Sequence, residues 1–228
     1  MTVMRLKPEW RGITLSLLVS NLVSITLFGL RVLATDSTQY WFLFWNLLLA
    51  WVPVLIAWLL ITELKKLSWQ KPLPVLLTLI WLGFLPNSFY LISDLVHLQN
   101  TADIGLLFDA VLFMSCIVNG LIAGMLSLYW VHRELVKRCS RDHAHLLIGI
   151  IIFLASFAIY LGRSLDWNTW DILVNPAGLL FDVSERVINP FSHPQVLVTT
   201  VTFFVLIGSL YAVVWNFLQA AKLPSRRK

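Results

Sequence analysis

The sequence predicts an all-α, polytopic membrane helix bundle with six transmembrane helices, and three observations lead there. Hydrophobic residues make up 58% of the 228 and charged residues only 13%, with a mean hydropathy of +0.79. A soluble domain carries roughly 25% charged residues. Six apolar runs are each long enough, at about 1.5 Å of rise per residue, to cross most of a roughly 30 Å hydrocarbon core. The basic residues sit between those runs in alternate loops, the mark of cytoplasmic loops. The net charge of +5 therefore does not point to nucleic acid, since no basic stretch is long enough to hold a nucleic-acid-binding fold. The expected partner is the lipid bilayer, with no nucleic acid. Composition names neither a protein partner nor a cofactor. The two cysteines, Cys116 in an apolar run and Cys139 in a basic loop, cannot meet on this topology, so no disulfide framework is expected.

Span one covers about Gly12 to Ala34, with Ser16, Ser20, Ser24 and Arg31 on one face. Val32-Leu33-Ala34 loosely resembles a cleavage site. The apolar region before it runs about 22 residues and carries Arg31, against about 7–15 for a signal peptide, so a retained helix is expected. Span two covers about Tyr40 to Ile61. Span three covers about Val75 to Leu98 and is expected to kink or break at Pro86, which lacks a backbone donor and clashes with the preceding turn. Asn87 is placed to cap a new segment there. At about 100° per residue, Asn87, Tyr90, Asp94 and His97 fall on one narrow polar stripe inside an apolar coat. Such a stripe should face protein or a wet cavity.

Span four covers about Ile104 to Val131. Asp109 lies in its outer part, and Cys116, Gly120 and Ser127 follow on the same face. Gly120-x-x-x-Gly124 permits close helix contact. Asn119 is one of the few polar residues deeper in the spans. Span five, about Leu146 to Gly162, brings Ser156, Tyr160 and Arg163 to one face. The basic segment before it, with His132, His143 and His145, reads as a solvated or headgroup-contacting loop. Residues 163–194 form the longest outer loop. Asn168 can cap a helix there with Asp171 at its third position. Leu179, Leu180, Val183 and Val187 then recur at helical spacing. With Trp167 and Trp170 this predicts a helix lying in the outer interface. His193-Pro194 opens span six, about Gln195 to Gln219.

Orientation follows from Lys and Arg. Arg5, Lys7 and Arg11 precede span one, and Lys65, Lys66 and Lys71 lie between spans two and three. Arg133, Lys137, Arg138 and Arg141 lie between spans four and five, and Lys222, Arg226, Arg227 and Lys228 follow span six. Both termini are thus expected in the cytoplasm, with residues 1–228 as one integral membrane domain.

Two segments resemble a known family. One is Leu85-Pro86-Asn87-Ser88-Phe89-Tyr90 with Asp94-Leu95 and His97-Leu98. The other is Tyr160-Leu161-Gly162-Arg163 with Asn168-Thr169-Trp170-Asp171 and Asn175-Pro176. Together they resemble the signatures of a bacterial multi-pass membrane family known as domain of unknown function 1361. The resemblance implies a protein of the bacterial cytoplasmic membrane and a set of candidate positions, with no mechanism. Asp166 stands where that family more often has a basic residue.

The candidate binding residues are Asn87, Tyr90, Asp94, His97 and Asp109, with Tyr160, Arg163, Asn168, Trp170 and Asp171 from the later segment. Each charge among them is costly in a membrane unless paired, so a shared outward-facing site is the working expectation. The structural reading stands first: Arg163 pairs with Asp109 or Asp94 and the cluster fixes helix packing. A solute or ion site at the Pro86 kink is the second. The third is an enzyme acting on a lipid or envelope substrate. Its catalytic candidates are Asp94, His97 and Arg163. Its weak metal-ligand candidates are Asp94, His97 and Asp109, completed by Asp103 or His193.

Overall fold

The computed structural model describes residues 8–99, 105–189 and 192–221, and among these there is no strand. The helices are α1 (Pro8–Thr35), α2 (Trp41–Glu63), α3 (Pro72–Tyr90), α4 (Leu106–Val136), α5 (Arg141–Leu165), α6 (Asp171–Val174), α7 (Pro176–Ile188) and α8 (Pro194–Ala220). A 3-10 segment, Leu91–His97, continues directly from α3. Six of them are long and apolar enough to cross a membrane: α1 from Gly12, α2, α3 with its 3-10 extension, α4, α5 and α8. The chain is a multi-pass membrane protein by this measure. Their outer faces carry Leu15, Leu22, Leu107, Val198 and Phe217, all exposed. Such faces suit lipid and not water.

Two expectations are corrected. Of the kink or break expected at Pro86, the break does not form, and Asn87 is no cap: both lie inside α3, which runs on to Tyr90. In lipid, a helix opened at Pro86 would leave backbone groups with no water to satisfy them, so continuing is the cheaper solution. The change comes at Leu91, where the chain tightens to three residues per turn. Span five also begins earlier than expected. Ser140 accepts a hydrogen bond from the His143 N–H at 3.3 Å and caps α5. His143 and His145 are therefore helical, and His132 lies inside α4.

The described chain divides into two compact units, and α2, α3 and α4 each give a part to both. The first comprises residues 1–51 and 87–124. Its core is Tyr40, Leu43, Leu47 and Ala50 against Leu91, Leu112, Phe113 and Ile117. Tyr40 meets Phe113 edge-on, ring centroids 4.9 Å apart. The expected close contact at Gly120 and Gly124 is present. A Cβ on Gly120 would stand 2.7 Å from the Ser88 carbonyl oxygen, and one on Gly124 would stand 2.6 Å from the Phe89 ring.

The second unit comprises residues 52–86 and 125–228. Tyr160, Leu161 and Val196 form one buried cluster, with Leu179 and Val183 of α7 packed on it. Leu180 and Val187, on the same helix, are exposed. Asn168 does not cap this helix. Its backbone N–H donates to Asp171 Oδ2 at 2.7 Å, so the reciprocal half of the expected capping pair forms, and only the four-residue α6 follows. Asn175 caps α7 instead, its Oδ1 accepting from the Gly178 N–H at 3.1 Å, with Pro176 as first helical residue. Pro at that position loses nothing, because its N–H would have had no partner. Asn175→Ala should cost about 1 kcal/mol. The expected readout is faster limited proteolysis within residues 171–189, with the spans unaffected.

Candidate functional site

The first unit holds a polar interior built from residues far apart in sequence. Arg31, near the end of α1, donates from Nε to Asp109 Oδ1 at 2.8 Å, and its Nη2 lies 3.5 Å from Oδ2. The two side chains are 1% and 0% exposed. Asp109 sits in the first turn of α4, where the helix N-terminus favours a negative charge. The guanidinium also lies over the Tyr40 ring, 4.1 Å from its centroid, a cation–π contact.

Asp94 is likewise buried and accepts a hydrogen bond from Asn46 Nδ2 at 2.8 Å. Ser88 donates to the Ala50 carbonyl at 2.9 Å. Asn119 donates to Ser24 Oγ and to the Ser115 carbonyl, both at 2.9 Å. The Trp51 indole donates to Asn21 Oδ1 at 3.1 Å. The serine face of α1 therefore meets α4 at Asp109 and Asn119. The partner seen for Asp109 is Arg31, whereas the sequence had offered Arg163. No periodicity within one helix could have identified Asn46, Tyr40 or Ser88, since each is recruited by the rotation of a neighbouring element.

The remaining candidates are placed as follows. His97 is exposed, its ring edge-on to Phe42 at 5.2 Å. In 3-10 geometry Leu91, Asp94 and His97 eclipse, but burial stops at Asp94. Asn87 and Tyr90 are half-buried. Arg163 is half-buried in the last turn of α5, in the second unit. Among the described residues no three His, Cys, Asp or Glu side chains gather as metal ligands. Asp103 lies outside the described residues.

In the second unit, Tyr160 is buried and hydrogen-bonds Arg186. Arg186 Nη1 also donates to Asp182 Oδ1 at 3.1 Å and Glu185 Oε2 at 3.0 Å. Asp182 accepts from the Trp167 indole at 2.8 Å. Thr169 donates to the Gly83 carbonyl of α3 at 3.2 Å, so the outer loop is fastened to α3 at this point. Trp170 is exposed and Asp171 half-buried. His193 contacts Glu185 at 3.4 Å rather than only opening α8. Arg186 escaped the sequence reading, although Asp182 one turn before it was the available signal.

His132 is a further correction. It is no solvated loop residue: it is 2% exposed and stacks on Trp215, centroids 3.7 Å apart. Its Nδ1 lies 2.8 Å from Tyr211 Oη and its Nε2 lies 3.2 Å from His145 Nδ1. Because α4 runs on to Val136, this position turns inward before the helix ends.

Compared with known proteins, residues 45–209 match the model of a family described as protein of unknown function, DUF1361. That range contains Asn46, Asp94 and Asp109 but neither Arg31 nor Tyr40. No curated protein and no solved structure matches the chain.

Proposed function

The chain belongs to the DUF1361 family of unknown function, and we propose for it a structural or accessory role in the bacterial cytoplasmic membrane, with both termini cytoplasmic. The observation that carries this reading is the Arg31–Asp109 pair, buried at 1% and 0% exposure and bonded at 2.8 Å. A charge inside a membrane is tolerated when it is paired. The pair balances the two charges and ties α1 to α4 in one rotation. The hydrogen bond from Asn46 to Asp94 ties the 3-10 segment to α2. The outer loop adds support of a second kind: Leu180, Phe181, Val187 and Ile188 form an exposed apolar side of α7, which fits a helix lying in the outer interface.

The test is a double-mutant cycle on Arg31→Met and Asp109→Leu, read by unfolding of the detergent-solubilised protein. Strong coupling, with the double variant more stable than either single one, is expected. Additive losses would overturn the role assigned to the pair.

Orientation has its own test. Cys116 is buried and Cys139 is half-exposed just beyond α4. A membrane-impermeant maleimide should label Cys139 in inside-out vesicles and not in intact spheroplasts, and Cys139→Ser should abolish the signal. Labelling from the outer side would invert the topology.

One observation favours a binding role beside the structural one. Arg31 Nη1 and Tyr40 Oη are buried without hydrogen-bond partners among the described residues. Two donors so placed suit an oxygen of a small solute. Saturable stabilisation by such a solute, lost in Tyr40→Phe, would support it.

A further inference from the structure

The second unit contains a cavity of about 480 Å³ between α5 and α8. This is within the roughly 300–1,000 Å³ typical of small-molecule sites. One end is aromatic and polar, with His132, His145 and Trp215; the other is apolar, with Ile152, Phe204 and Val205. The lining runs from Asn216 to Phe204, about 18 Å along α8, and from His145 to Ile152, about 10 Å along α5. Gly149 and Gly208 line its middle, and a Cβ on either would meet nothing within 4 Å. The space is thus real at both glycines and lies within the membrane-spanning segments.

Its polar end is a short hydrogen-bonded chain. If Tyr211 donates its O–H to His132 Nδ1, then His132 Nε2–H donates to His145 Nδ1, and His145 keeps Nε2–H as an outward donor. With the chain reversed, the same nitrogen becomes an acceptor. His145 is exposed, so this atom stands at the surface of the cluster. Trp215, only 5% exposed, keeps an indole N–H that finds no acceptor among the described residues. Ser209 and Asn216 are already bonded to carbonyls of their own helix. Among the described residues no charged side chain lines the cavity. A carboxylate or phosphate head would find no cation in the lining itself, Arg141 standing one turn before His145 outside it, whereas a neutral carbonyl oxygen would find an imidazole donor at His145. The aromatic walls favour a flat head group.

We propose that this cavity binds a neutral, carbonyl-bearing membrane lipid of the quinone class, its ring oxygen at His145 and its apolar tail along Gly149 and Gly208 toward Phe204. The site is separate from the Arg31–Asp109 interior and does not depend on the role given to that pair.

The experiment is thermal unfolding of the full-length protein in detergent, titrated with a benzoquinone carrying two isoprenoid units or with oleate. A ligand that binds only the native state must raise Tm in a saturable way. The quinone is expected to do so and oleate is not. Gly208→Leu and Gly149→Leu fill open space, so the unliganded Tm should hold while the quinone shift disappears. His145→Phe keeps the ring volume, removes the polar nitrogens and should weaken binding by about tenfold. A shift with oleate alone would overturn the neutral head group. A quinone shift that survives both glycine variants would overturn the location. Absence of any shift in a folded wild-type protein would overturn the site.

Discussion

Asp109→Ala should destabilise the protein by about 3–5 kcal/mol, the loss expected when one partner of a buried ion pair is removed. The guanidinium of Arg31 would stay behind, 1% exposed and unable to shed its proton. The Tyr40 ring beneath it would return only a part, since a desolvated cation–π contact is worth about 2 kcal/mol. Arg31→Met should cost a similar amount, because Asp109 is fully buried and its short side chain cannot reach water. The double variant Arg31→Met/Asp109→Leu should recover most of the loss, as apolar replacement of a buried pair is often neutral or stabilising. Chemical unfolding in mixed micelles reads all three. A single-variant loss below about 1 kcal/mol would place the pair with surface ion pairs, whose median worth is that small, and would remove the main support for a structural interior.

The pair also shows what was legible in the chain and what was not. The six spans were, because hydropathy over about 20 residues is a property of each segment alone. So was the burial of Asp94 and Asp109, since a carboxylate in an apolar run must turn inward. The partners were not. Arg31 is 78 positions from Asp109 and Asn46 is 48 from Asp94, and the rotation of one helix against another sets both pairings. The stripe at Asn87, Tyr90, Asp94 and His97 was drawn at one angular step, but the chain changes step at Leu91. The new step brings His97 onto the face of Leu91 and Asp94, yet His97 is exposed because burial stops at Asp94, before the segment ends. At Pro86 the break, one of the two expected outcomes, does not form, for a different reason. The rule that proline breaks helices weighs the lost hydrogen bond against solvated alternatives, and lipid offers none. His132 was read by the charge of its neighbours, whereas its burial is decided by Tyr211 and Trp215 of α8.

Gly120→Ala should destabilise the protein where the same change elsewhere would help it. In a helix interior Ala is favoured over Gly by about 1 kcal/mol. At Gly29 a Cβ would meet nothing within 4 Å, so Gly29→Ala should be neutral or stabilising by up to that amount. At Gly120 the new Cβ would stand 2.5 Å from Leu91 Cδ1 and 2.7 Å from the Ser88 carbonyl oxygen. The leucine tip can rotate, but the carbonyl belongs to backbone. Ser88 is held from the other side too, by its hydrogen bond to the Ala50 carbonyl. Relief therefore requires the segment from Ser88 to Leu91 to retreat from α4, loosening the core at Leu91, Leu112 and Ile117. Overpacking of this kind costs about 1–3 kcal/mol, enough to outweigh the helix-propensity gain, and Gly120→Leu should cost more. Because Asp94 is one 3-10 turn beyond Leu91, a retreat there should also lengthen the Asn46–Asp94 bond. Asn46→Ala should then cost less in the Gly120→Ala background than in the wild type. If Gly120→Ala proves as harmless as Gly29→Ala, the 3-10 segment is not seated against α4, and the buried placement of Asp94 falls with it.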